Sequence, residues 1–153
     1  MNKTILIVDD EEDILDLLDY TLMSAGYDVI TCIDTSNVRD ILDEEDIALI
    51  LMDRNLPGVE GSMFIEKIRK EGYNQPVIYI SAKDLDEDIV EGLERGGDDY
   101  ITKPFNVNIL KARVSALLRR TNKTQEVFKY RDISYNAISK TFFIENKEIK
   151  LRI

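Results

Sequence analysis

Leu49-Ile50-Leu51-Met52-Asp53-Arg54-Asn55-Leu56-Pro57-Gly58 is the stretch whose reading decides the fold. Its four consecutive apolar residues make a run too short for a helix, and Pro-Gly stops it sharply, so it reads as a buried strand. Asp53 stands where that strand ends. A carboxylate after so apolar a run belongs at the mouth of a sheet, where open α/β folds place their ligands. Asp also starts ordinary turns, so the reading of Asp53 depends on what stands at the ends of the other strands.

Working outward, Lys3 to Val8 is a second apolar run, closed by Asp9-Asp10-Glu11-Glu12-Asp13. Ile14, Leu15, Leu18, Leu22 and Met23 then recur at helical spacing, and Gly26 supplies a stop. Asp28 to Ile33 predicts a strand, followed by a helix capped by Thr35 or Ser36 that carries Val38, Ile41 and Leu42. Ala48 to Met52 is the third strand. Beyond Pro57-Gly58, Met63, Phe64, Ile65 and Ile68 mark a helix ending near Gly72, and Pro76 to Ile80 is a strand ending at Ser81. Leu85, Ile89, Val90 and Leu93 make the fourth helix, stopped by Gly96-Gly97. Asp99 to Thr102 is a short fifth strand ending at Lys103-Pro104, and Ile109, Leu110, Val114, Leu117 and Leu118 make a fifth helix that runs out at Arg119-Arg120-Thr121. Five strand–helix alternations with short connections predict a doubly wound α/β domain with a parallel sheet covered on both faces. The flavodoxin-like order 2-1-3-4-5 fits, with its crevice at the carboxyl ends of strands one and three. No Gly-rich loop follows the first strand, which speaks against a nucleotide site.

After Thr121 the character changes. Residues 122–126 form a polar connector, and Val127 to Tyr135, Ala137 to Ile144 and Glu148 to Ile153 read as a small antiparallel β segment. Three such strands are marginal alone. Residues 1–121 hold 13 Lys+Arg and 26 Asp+Glu, whereas residues 122–153 hold 7 and 4. An acidic body argues against gripping nucleic acid by a surface field. The chain has no histidine, which removes Ser-His-Asp chemistry and His-ligated zinc. Its single cysteine, Cys32, fits a packing residue in a reducing compartment. No apolar run approaches the roughly 20 residues that span a bilayer, and the expectation is a cytoplasmic chain without a membrane partner.

Collected at the strand ends are Asp9 and Asp10, Asp53, Ser81 and Lys103. In a parallel sheet these ends face one side, so three carboxylates, a hydroxyl and an ammonium converge. Unrelieved carboxylates raise one another's pKa values. A hard divalent cation relieves them, and Mg²⁺ fits a site with few protein ligands and several waters. A carboxylate beside Mg²⁺ and a lysine is a plausible nucleophile toward a phosphoryl group. Singly, each residue has an ordinary explanation as a helix start, a cap or a solvated lysine; the coincidence at every strand end favours a site.

These residues carry a resemblance. Ile5–Asp10, Asp53–Gly58, Ser81-Ala82 and Asp98-Asp99-Tyr100-Ile101-Thr102-Lys103-Pro104-Phe105 resemble the receiver domain of two-component response regulators, over residues 1–121. The resemblance implies that Asp53 accepts a phosphoryl group from a sensor histidine kinase. It implies that Asp10 binds Mg²⁺ directly and Asp9 through water, with the Asn55 carbonyl completing the protein ligands. Lys103 would pair with the acyl phosphate. Ser81 and Tyr100 would form a switch pair, the hydroxyl moving to the phosphate and the ring turning inward. Ser replaces the commoner Thr, and Gly97 stands where Ala is usual. Phe128 to Leu151 resembles the β platform that opens the OmpR/PhoB-type winged-helix effector, so 127–153 is expected to be an incomplete effector domain. DNA would be contacted only through effector residues beyond this sequence.

In that subfamily the face of the fourth helix, fifth strand and fifth helix pairs with its own copy on phosphorylation. Asp99, Arg113 and Leu93 match that face, while Ile89 and Ile109 fall where an ion pair is usual; an apolar contact across a twofold is the expectation. Two other functions compete. A haloacid-dehalogenase-like phosphatase would want a carboxylate where Asn55 stands, and a binding module that is never phosphorylated would usually have lost one of the signature residues.

Overall fold

The computed structural model describes residues 2–121; the connector expected at 122–126 and the antiparallel β platform expected over 127–153 lie outside the described residues. By its contacts the chain divides into two units, 1–116 and 117–153. The first contains the whole sheet and the candidate site.

Strands β1 (Thr4–Val8), β2 (Asp28–Cys32) and β3 (Ile47–Asp53) alternate with helices α1 (Glu12–Ser24) and α2 (Val38–Glu44). A two-stranded ribbon, β4 (Asn55–Leu56) and β5 (Val59–Glu60), turns at Pro57-Gly58 and leads into α3 (Gly61–Lys70). Then come β6 (Val77–Ser81), α4 (Asp86–Glu94), β7 (Asp99–Thr102) and α5, helical over residues 107–121. The five long strands form one sheet in the order β2-β1-β3-β6-β7, every pair parallel. Allowing for the ribbon, this is the 2-1-3-4-5 order expected. The antiparallel pair seen here is the ribbon at 55–60, a different segment from the one read at 127–153.

The pattern that makes the strands also makes the core. Alternate side chains leave opposite faces of a strand, and in β1, β3 and β6 both sets are apolar and buried, as a sheet covered on both faces requires. Leu6, Val8, Ile50, Met52, Val77 and Tyr79 pack with Val38 and Leu42 of α2 and Phe64, Ile65 and Ile68 of α3. Ile5, Ile7, Leu49, Leu51, Ile78 and Ile80 fill the other face.

Some details differ from the sequence reading. Helix α2 starts after Asn37, with no side-chain cap. The Ser36 hydroxyl donates to Asp34 Oδ1 at 2.6 Å instead, because a preceding Asp captures the serine in a local turn. Met23, counted on the apolar stripe of α1, is exposed, since the buried face is made by Leu15, Leu18, Thr21 and Leu22. Gly97, in place of the usual Ala, agrees with its reading as a packing residue: a Cβ there would sit 2.2 Å from the buried Tyr79 ring.

Candidate functional site

Parallel strands deliver Asp9, Asp53, Ser81 and Lys103 to one edge of the sheet. Asp9 follows β1 and is buried; its Oδ1 accepts the Glu11 N–H at 2.8 Å, holding the carboxylate over the start of α1. Asp53 is the last residue of β3 and is also buried; its Oδ1 accepts the Asn55 N–H at 3.1 Å. Asp10 is exposed at the rim. One carboxylate oxygen from each of Asp9, Asp10 and Asp53 lies within 4.8 Å of the others, a cluster able to hold a cation. All its donors are hard oxygens, which fits Mg²⁺ or a similar cation and not a soft metal. A cleft of about 530 Å³ opens beside it, lined by Asp10 and the segment 54–60.

Lys103 supplies the counter-charge. Its Nζ donates to Asp9 Oδ2 and to Glu11 Oε1, each at 3.0 Å, and lies 3.6 Å from Asp53 Oδ2. The Lys103–Pro104 peptide is cis, and the Lys103 N–H donates to the Ser81 carbonyl at 2.8 Å, tying β7 to β6 where the site begins. Burial lowers the lysine's pKa less than its bonds to Asp9 and Glu11 raise it, so it stays charged. Asp9 and Asp53 are both held above the usual carboxylate range. Burial is the main cause in each, opposed by the amide of Glu11 or Asn55 and by Lys103. Carboxylate repulsion, the cause the sequence suggested, is secondary.

Ser81 is fully buried, and its Oγ accepts the Lys83 N–H at 3.1 Å. Tyr100 is only 8% exposed. Its hydroxyl donates to the Lys83 carbonyl at 2.8 Å, and its ring lies against Gly92 and 5.8 Å from that of Tyr79. The ring is therefore inward. Gly61 is needed where α3 begins, because a Cβ would sit 2.1 Å from the Asp53 carbonyl oxygen.

The sequence reading passed over Arg54. Its side chain is 0% exposed, yet it carries a full charge. Nε donates to Glu60 Oε2 and Nη2 to Glu91 Oε1, both at 2.7 Å; Nη1 donates to the Asp88 carbonyl at 2.5 Å and reaches the Tyr100 hydroxyl at 3.4 Å. Arg95 completes the group, 3.3 Å from Glu60 and 3.1 Å from Glu91. Burial lowers the Arg54 pKa, but its bonds to Glu60, Tyr100 and Glu91 outweigh that and raise it. Glu11 was missed as well; its place directly after the acidic pair was the available signal.

The residues expected on a pairing face separate. Leu93 and Ile109 are exposed, as is Val90, while Ile89 is half-buried against the core. Asp99 and Arg113 form an ion pair at 3.0 Å within the chain.

The model of the response regulator receiver domain matches residues 5–115. The receiver domain of the Francisella response regulator 1452 is 32% identical, with TM-score 0.75 over 78% of this chain and 99% of that one. The BeF₃-activated DrrB receiver domain is 34% identical, with TM-score 0.70 over 78% and 99%. NtrX from Brucella abortus is 30% identical, with TM-score 0.79 over 86% of this chain but 30% of the longer NtrX chain. With the sheet order, the acidic strand ends and these likenesses together, the chain belongs to the receiver-domain family of two-component response regulators.

Proposed function

We propose that this chain is a phosphorylation switch in which Asp53 accepts a phosphoryl group from a sensor histidine kinase. The observation that carries the reading is the pairing of a buried strand-end carboxylate with Lys103 and two further carboxylates around one open cleft. An Asp53 oxygen attacks phosphorus; the phosphorus–nitrogen bond of the donor phosphohistidine breaks, and the imidazole nitrogen keeps the electron pair and takes a proton. Lys103, already 3.6 Å from Asp53, offsets charge on the transferred oxygens. The residues fit Mg²⁺, held by Asp9, Asp10, Asp53 and the Asn55 carbonyl. Held by these residues, the ion would supply positive charge that offsets the acidic cluster and the charge of the phosphoryl oxygens. Ser81 hydrogen-bonds the phosphoryl group, and Tyr100 reports its presence.

The reading extends to the whole regulator. Residues 1–121 are the receiver, 122–126 the connector and 127–153 the opening of an OmpR/PhoB-type effector through which phosphorylation controls DNA binding and transcription in the cytoplasm. The resemblance of Phe128 to Leu151 supports it. Phosphorylation drives pairing of two copies through the face of α4, β7 and α5. There Val90, Leu93 and Ile109 offer apolar surface and Ile89 supports it from below. Asp99 and Arg113 exchange their internal partner for the other copy's.

Incubation with acetyl phosphate and Mg²⁺, followed by intact-mass measurement and peptide mapping, tests the site. One stable phosphoryl adduct at Asp53 is expected, absent from Asp53→Asn and from a folded Asp10→Ala. Turnover without an adduct would mean a phosphatase; no reaction would mean a binding module, and either overturns the reading.

A further inference from the structure

One constellation is left over once the acidic site is assigned, and it begins one residue later. Arg54, Glu60, Arg95 and Glu91 form a closed ring of alternating charges, each touching the next at 2.7 to 3.3 Å. Two members lie at or just past α4, Glu91 within it and Arg95 at its C-cap, while Glu60 caps α3 by accepting the Met63 N–H at 3.1 Å. Arg54 is covalently next to Asp53. The ring therefore joins the end of the acceptor strand to α4.

We propose that Arg54 is a positioning residue of the switch, holding α4 and Tyr100 in the inward arrangement before a phosphoryl group arrives. The inference rests on the reading of Asp53 and Tyr100 given above. A guanidinium cut off from solvent needs partners for its donors. Two of the partners here, the Asp88 carbonyl and Glu91, belong to α4, and the Tyr100 hydroxyl lies beside them. The guanidinium also stands 6.0 Å from the Tyr100 ring centroid, at the edge of cation–π range. Moving α4 away strips two acceptors from a buried cation. Turning Tyr100 outward removes a third contact and frees the Lys83 carbonyl that the hydroxyl now satisfies. Each departure from the inward arrangement thus leaves buried polar groups unpaired, so Arg54 pre-sets the state that phosphorylation selects. Apparent affinity for a ligand that needs the inward state scales with the fraction of molecules already in it.

Beryllofluoride, a non-covalent mimic of the phosphoryl group, reads that fraction. Its affinity is to be measured by calorimetry with Mg²⁺ on wild type and Arg54→Met, at a temperature where both are folded, with Mg²⁺ affinity alone as control. Arg54→Met should weaken beryllofluoride binding by about tenfold, as a fall of the inward population to about a tenth would, and leave Mg²⁺ binding unchanged. Arg54→Lys, which cannot fork between acceptors, should recover only part of the loss. Fluorotyrosine NMR, with Tyr100 assigned through Tyr100→Phe, should show the ring leaving its buried environment in Arg54→Met and returning with beryllofluoride. Unchanged or tighter beryllofluoride binding by folded Arg54→Met overturns the proposal, since it assigns Arg54 to stability alone. Should Arg54→Met not fold, Glu91→Gln, altered at the ring's exposed corner, decides on the same readouts: about threefold weaker binding supports the proposal, and none overturns it. A wild-type chain that binds no beryllofluoride overturns the reading of Asp53 itself, and the inference with it.

Discussion

Two charged constellations meet between Asp53 and Arg54, and they are built on opposite rules. Around Asp53, the three clustered carboxylates and Glu11 face a single lysine, and both buried carboxylates are pushed toward their protonated form. Around Arg54, two cations and two anions alternate, and all four charges have at least two partners. The first arrangement is incomplete and the second is closed. An incomplete cluster of charges, kept in a cleft by a rigid sheet, has something left to bind; a closed ring binds only the segments it comes from. Charge density alone does not distinguish a site from a brace. The sign of the imbalance does.

That contrast predicts opposite signs for neutralising substitutions on neighbouring residues. Arg54→Met should destabilise the most, by about 3 kcal/mol, because it takes one of two counter-charges from Glu60 and from Glu91 and leaves the Asp88 carbonyl and the Tyr100 hydroxyl without their buried donor. Urea unfolding measures this, and a loss under 1 kcal/mol would mean the ring braces nothing.

Gly97→Ala comes next, at about 2 kcal/mol, by pressing a methyl against the Tyr79 ring that packs beside Tyr100. A double-mutant cycle with Tyr79→Leu should recover most of the loss, and an additive result would place the strain elsewhere.

Asp53→Asn should stabilise the chain at neutral pH, because burial opposes the charge that the amide lacks. Its carboxyl pKa is raised in the folded state, so between the unfolded value and that raised value the native state binds more protons than the unfolded one. Stability then falls as pH rises through this window and is regained on acidification. The advantage of Asp53→Asn, followed by melting temperature, should therefore be greatest above the raised folded-state value and vanish as pH falls toward the ordinary carboxylate value. An advantage that does not change with pH would deny that the acidic cluster is unbalanced.

The smallest effect tests a buried polar group that belongs to neither constellation. Among the described residues the Tyr79 hydroxyl finds no hydrogen-bond partner. Tyr79→Phe should be neutral or stabilising by a few tenths of a kcal/mol in the same unfolding assay, and a clear loss would point to a partner not seen here.

The fold was legible because its signals are local. Apolar runs of four or five residues, helical spacing and Gly or Pro stops lie close together in the chain; Asp53 and Lys103 were found because Pro57-Gly58 and Pro104 follow them, and Ser81 because the apolar run 77–80 ends there. Arg54 was not legible. A single arginine after a strand reads as solvated, and its partners Glu60, Glu91 and Tyr100 lie 6, 37 and 46 positions away, where no spacing rule connects them. The helix α2 start failed for a smaller reason of the same kind: Asp34 competed for Ser36 at a distance of two residues, and no capping rule weighs that competition. The raised pKa values of Asp9 and Asp53 were expected from repulsion, but sequence gives neighbours in the chain and not depth, and depth is the larger cause.

The ring also bears on how such a sequence could have arisen. Glu60 caps α3, receives Arg54 and touches Arg95 at the same time, so no member of the quartet can be exchanged without affecting at least two others. An arginine arriving alone at position 54 of an ancestral chain would have entered the core as an unmatched cation, and a glutamate arriving alone at 60 would have lacked its counterpart. Their effects are non-additive by construction. Related chains should therefore hold these four positions as a set or lack them as a set, with the half-assembled combinations selected against.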